Sequence, residues 1–175
     1  MKKSVLFFTG LFIAITIKAQ SPAVNSIIDK YAGQDGYTYV YISQNMFQLA
    51  ATLTAKEDPE VSNFVGTIKQ MVVLTKSFDS LTGKTSEFVN EVEQAINKDD
   101  YKSLLVVKDG GDDVDILAKE VNGKIEELLL TVKSDDEDVV LILSGQIDLN
   151  KVAKLSEKIE IDGMEHLKLV AEVKN

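Results

Sequence analysis

The sequence predicts a single α+β domain: a mostly antiparallel sheet with a C-terminal four-strand meander, packed by amphipathic helices. Three observations carry this. Apolar residues recur at helical spacing through much of the first half. From Tyr101 onward they fall instead into short strand-like runs joined by tight turns. No linker, repeat or low-complexity stretch divides the 175 residues, and the two prolines, Pro22 and Pro59, both sit at helix starts.

The chain opens MKKSVLFFTGLFIAITIKAQ, in which Lys2 and Lys3 precede an apolar run over residues 5–17 and the small-residue ending Ile17-Lys18-Ala19. That order is the signature of a signal peptide, with cleavage expected after Ala19 and residues 20–175 forming the domain. The apolar run is about thirteen residues, short of the roughly twenty that span a bilayer. No cysteine occurs anywhere, so a thioether-linked lipid anchor has no attachment point and no thiol chemistry is available. The expectation is a periplasmic or secreted protein with no membrane anchor in its mature form. Removing 19 residues leaves 156, enough for one core without a disulfide or metal staple.

The elements follow in order. In SPAVNSIIDKYAG, Ser21 can cap, Pro22 fits a first turn, Val24, Ile27, Ile28 and Tyr31 share a face, and Gly33 stops the helix. Tyr37, Tyr39 and Tyr41 then alternate with Thr38, Val40 and Ile42, a strand rhythm in strand-favouring residues. After Ser43 the rhythm becomes helical, with Met46, Phe47, Ala50 and Leu53 at spacings of three and four, so Ser43 reads as an N-cap. Asp58-Pro59-Glu60 starts another helix with Val61, Phe64, Val65 and Ile68 as its buried stripe. MVVLTKSF is a strand, and SEFVNEVEQAIN a helix with Phe88, Val92 and Ile96 facing the core. Four strands complete the meander: YKSLLVVK, DVDILAKEV, KIEELLLTVK and DVVLILSGQI, with Asn122-Gly123 the strongest hairpin signal in the chain. Asp148 caps LNKVAKLSEKI, with Ile147 and Val152 as a hydrophobic staple. The tail from Gly163 fits either a short helix or an edge strand.

Charge narrows the function classes. The chain carries −9, and losing Lys2, Lys3 and Lys18 takes it to −12; all nineteen basic residues are lysine. A strongly acidic domain repels phosphate, and without arginine it lacks the planar fork that grips phosphate in a bidentate way. Nucleic acid and anionic lipid are therefore poor partners, and no cofactor motif is present.

Five constellations merit weighing. Ser43 at a strand-to-helix turn lacks the flanking glycines of a nucleophile elbow, since Tyr41 and Asn45 stand there. Gly83-Lys84-Thr85 resembles the end of a phosphate loop, but Phe78 occupies the place of its first glycine. Asp109, Asp112 and Asp113 in one turn, and Asp135, Asp136 and Asp138 in another, fall at the same end of a meander. Clustered carboxylates suit calcium, although Asp and Gly are equally the residues of tight solvated turns. His166 is the lone imidazole, and no partner for a triad stands out near it. Finally, Tyr37, Tyr39 and Tyr41 would form a protein-binding stripe if their face were uncovered; in a tyrosine-rich central strand they line the core instead.

The helix ending in DKYAGQDGYTYVYISQNMFQL, the later YKSLLVVKDGGDDVDILAKEVNGKIEELLLTV, the strand DVVLILSGQIDLNKVAKL and the tail GMEHLKL together resemble domain-of-unknown-function family 4252, small exported domains of Gram-negative bacteria. The likeness spans nearly all of the chain after its leader and rests on the order of motifs. It implies an envelope or secreted domain with no established enzymatic activity and no catalytic residues to carry over. Some members look like lipoproteins, from which this cysteine-free chain departs. The expectation is a non-enzymatic domain that binds another envelope protein in an accessory or regulatory role. A calcium-binding domain using the acidic turns is the alternative, and a weak hydrolase using a carboxylate or His166 the third reading.

Overall fold

The computed structural model describes residues 22–78 and 87–156. In chain order these form α1 (Pro22–Tyr31), β1 (Tyr37–Ser43), α2 (Gln44–Thr54), α3 (Pro59–Val65), β2 (Ile68–Ser77), α4 (Phe88–Ala95), β3 (Tyr101–Asp109), β4 (Asp112–Val121), β5 (Lys124–Lys133), β6 (Glu137–Ile147) and α5 (Leu149–Ser156). A single 3₁₀ turn, Lys98–Asp100, leads into β3.

All six strands join one sheet in the order β1-β2-β6-β5-β4-β3, every neighbouring pair antiparallel. The meander is the one the sequence predicts. The first-half pair adds to it through β2 and β6, which leaves β1 at one edge of the sheet and β3 at the other.

Both faces of the sheet are packed. On one lie Val73, Ile116, Leu130 and Leu141, with Phe64 of α3 and Leu149 and Val152 of α5 against them. On the other lie Val72, Leu74, Leu129 and Ile142, covered by Val24 and Ile28 of α1 and by Phe88, Val89 and Val92 of α4. This explains the sequence texture of the middle strands: β5 and β6 read as nearly continuous apolar runs because neither side meets water, while β4 alternates.

Local chemistry sets the joints. Asn122 and Gly123 adopt φ of 53° and 77°, the left-handed pair that a two-residue hairpin requires. Asp58 caps α3 by accepting from the Val61 amide at 3.0 Å, and Asp148 accepts from Asn150 at 3.0 Å at the start of α5. Ile147 and Val152 share one core, as a staple should. Gly145, at φ 151°, lies where the β2–β6 register shifts, and a Cβ there would stand 2.5 Å from the Thr67 carbonyl oxygen. Only glycine lets these two backbones approach so closely.

Three expectations change. Ile68, expected in the stripe of α3, lies beyond that helix and opens β2. Ser43 occupies the N-cap position of α2 with extended backbone, but its hydroxyl makes no capping hydrogen bond. The stripe of α2 is not buried either: the helix has no buried residue, and Leu53 is 71% exposed. The reason is position, since α2 packs mainly on α3 at the margin of the sheet and only Phe47 reaches the core.

Candidate functional site

The three tyrosines of β1 meet different fates. Tyr37 is half-buried in an aromatic group, with ring centroids 5.0 Å from Tyr31 and 5.6 Å from Phe88. Tyr39 and Tyr41, next along the same face, are exposed at 41% and 52%. They do not line the core, because β1 is an edge strand and α1 and α4 cover the sheet face only as far as Tyr37. Partial burial first, then the Asp29 carboxylate, holds the Tyr39 hydroxyl somewhat above its ordinary value.

On the opposite face of the same edge, Val40 is exposed beside Val73, and α2 presents Met46, Leu49 and Leu53 at helical spacing. Among the described residues, six of the eight exposed large apolar side chains thus lie within residues 39–53, the other two being Val106 and Val121. The stretch 36–55 has no charged side chain in a chain that is 27% charged. Among the described residues no strand lies beyond β1, which pairs only with β2 there.

The acidic turns do lie at one end of the sheet, and a Cβ on Gly111 would stand 3.5 Å from Asp135 Oδ2. Their carboxylates are nonetheless interleaved with lysines. A transverse row runs Lys76, Asp138, Lys133, Asp113, Lys108 across five strands, alternating in sign, and Lys108 bonds Asp113 at 3.1 Å. That contact is the chief reason the Lys108 ammonium is held above its ordinary value. Asp109 and Asp112 face each other at the first turn, and Asp135 and Asp136 occupy the second. Among the described residues, no three carboxylate or imidazole groups converge as a cation site. Cross-strand ion pairing and turn chemistry account for this end of the sheet. His166 and Gly83-Lys84-Thr85 lie outside the described residues.

One constellation was missed in the sequence. The row Gln70, Ser144, Glu127, Lys119, Tyr101 crosses five strands, and the Tyr101 hydroxyl donates to a carboxylate oxygen of Glu127, which is 3% exposed. Burial raises the Glu127 carboxyl above its ordinary range, opposed by the Tyr101 hydrogen bond and by Lys119. Burial, then the bond to Glu127, likewise raises Tyr101. The signal was Glu126-Glu127 inside an apolar strand: with both sheet faces packed, one of two adjacent glutamates has to turn inward. A cavity of about 260 Å³ lined by Glu93, Ile96, Ser103, Asp115 and Leu117 reaches Tyr101 but not Glu127. The Tyr101 hydroxyl serves one Glu127 oxygen and ties β3 to β5, while Glu127 Oε2 is buried without a hydrogen-bond partner among the described residues.

A larger hollow of about 470 Å³ lies where α3, the Asn122-Gly123 turn and the start of α5 meet. Its charged lining residues are Lys124, Asp148 and Lys151, and Asp148 is engaged in capping α5. No helix among the described residues is long and apolar enough to cross a membrane.

No curated protein and no solved structure matches the chain. The family described as Domain of unknown function (DUF4252) matches residues 31–155. This is well over half the chain and runs from the end of α1 into α5. On that match the chain belongs to the DUF4252 family.

Proposed function

We propose that this protein is an exported, non-enzymatic domain of the cell envelope that works by binding another protein along the β1–α2 edge. One observation carries the reading: the exposed apolar side chains Tyr39, Val40, Tyr41, Met46, Leu49 and Leu53 gather on an uncharged stretch along the edge strand β1 and the helix that follows it. Exposed apolar surface gathered in one patch marks an interaction site, and a strand edge adds main-chain hydrogen bonds to it. Export is supported by the leader, with its lysines, apolar run and small-residue ending. A non-enzymatic role is supported by the fate of the buried acid Glu127, which is 3% exposed and bonded internally to Tyr101.

The test is site-specific photocrosslinking in the producing cell. A photoreactive residue replacing Tyr41 or Leu53 is expected to yield discrete protein adducts, whereas one replacing Val106, exposed on β3, yields none. Absence of adducts at both Tyr41 and Leu53 would overturn the reading.

A further inference from the structure

We infer that the occupant of this edge is a second copy of the same chain, joined through β1 in antiparallel register about Val40. The inference rests on the protein-binding reading above and narrows it to one partner.

Strand geometry supplies the first argument. β1 pairs with β2 along all seven residues without a register shift, and it contains no proline, glycine or charge to blunt its outer side. Two such strands overlap completely when Val40 of each copy meets at the twofold axis. Tyr39 then stands opposite Tyr41 of the second copy, and Thr38 opposite its Ile42. Aromatic residues meet on one face and β-branched residues on the other, the pairings that favour antiparallel strands.

Charge supplies the second. Each copy carries −9 over its full length, so two copies repel unless their contact keeps carboxylates apart. Residues 36–55 carry no charge at all, and salt screens exposed charges beyond about 8–10 Å. A basic partner would be recognised by carboxylates on the docking surface, and β1 and α2 carry none.

The third argument is α2. Phe47 packs into the same core as Val73, the neighbour of Val40, so α2 and Val40 share one face of the sheet. A twofold axis through Val40, normal to the sheet, keeps each face on its own side and brings the Met46, Leu49 and Leu53 stripes of the two copies toward each other. A lone extended peptide would cover β1 and leave that stripe in water. A second copy covers both.

The chain has no cysteine, which makes the test clean. The protein is purified in the form its cell accumulates and examined by sedimentation. We expect a dimer whose dissociation constant rises by at least about tenfold on Val40→Lys, which sets like charges face to face. Leu53→Glu is expected to weaken the dimer in the same way, acting from a helix position too exposed to affect folding. Val40→Cys is expected to form an intermolecular disulfide on oxidation, because the same residue meets itself at the axis, while Val106→Cys does not. A dimer that survives both Val40→Lys and Leu53→Glu, without a Val40→Cys bridge, would overturn the inference, since its contact then lies elsewhere. A monomer whose Tyr41 photocrosslinks to a different protein would also overturn it and leave the protein-binding reading standing. A monomer with no such adduct would remove both.

Discussion

The two edges of the sheet are built on opposite principles. β3 carries Lys102 and Lys108, each in an ion pair with β4, through Glu120 and Asp113, and its register with β4 shifts between Ser103 and Leu105. Charges and irregularity on an edge discourage another strand from adding. β1 has neither: it is regular, uncharged and flanked by an exposed apolar helix. Both strands are anchored inward at one end, Tyr101 of β3 to Glu127 and Tyr37 of β1 to Tyr31 and Phe88. The contrast therefore does not come from how tightly each edge is held. It lies in what each presents to solvent: β3 offers paired charges and a shifted register, whereas β1 offers uncharged, exposed apolar side chains, the contrast on which the proposed docking edge rests.

The largest predicted effect breaks the joint that hangs the open edge on the meander. Gly145→Ala would drive a Cβ to 2.5 Å from Thr67 O and 2.8 Å from Ile68 Cα, both backbone atoms that cannot swing aside. Strain plus overpacking should cost roughly 3 kcal/mol, read as a lower midpoint in urea unfolding. Next in size is the anchor of the guarded edge. Tyr101→Phe leaves the buried Glu127 carboxyl without its donor and should cost about 2 kcal/mol.

Within β1 itself, one pair of substitutions separates folding from docking. Tyr37→Ala should cost about 1–2 kcal/mol through its lost aromatic contacts, measured by chemical unfolding. Tyr41→Ala should change stability by no more than about 0.5 kcal/mol and yet weaken association, since that ring is exposed.

A pH-dependent effect should come from Glu127. Its carboxyl keeps its proton to higher pH in the folded state than in the unfolded chain, so the folded state binds more protons in the window above the ordinary carboxylate range. Stability should therefore fall as pH rises through that window. Glu127→Gln, which keeps an acceptor for Tyr101, should flatten the dependence in unfolding curves taken at several pH values. The smallest effect on folding sharpens the comparison most. Lys102→Thr with Lys108→Thr removes two exposed ion pairs and should leave the unfolding midpoint nearly unchanged, while allowing new self-association at β3 in sedimentation.

Much of this was legible from residue patterns alone. The meander followed from four apolar runs and Asn122-Gly123, and the caps at Asp58 and Asp148 from side chains beside helical stripes. What sequence could not give was strand order, because an antiparallel strand reads the same at an edge as beside one covered face. That one missing fact turned Tyr39 and Tyr41 from core residues into surface ones, while Tyr37 kept its contact with the core. It also hid the bareness of α2, since Met46, Leu49 and Leu53 have the periodicity of a buried stripe whether or not anything covers it. The Tyr101–Glu127 pair depends on register across β3, β4 and β5, to which local spacing is blind. The lysines between the acidic turns are hidden for the same reason: Asp113 is twenty residues from Lys133 in sequence and opposite it in the sheet.

The most direct test of the account is backbone hydrogen exchange, comparing the unmodified protein with Val40→Lys at one concentration. The account predicts that the unmodified protein protects amides over Tyr37–Ser43 and slows opening of Gln44–Thr54, that Val40→Lys loses this protection, and that Tyr101–Asp109 exchanges alike in both. Identical profiles in the two proteins would contradict it, because the outer side of β1 would then have no occupant that a charge at its centre can displace.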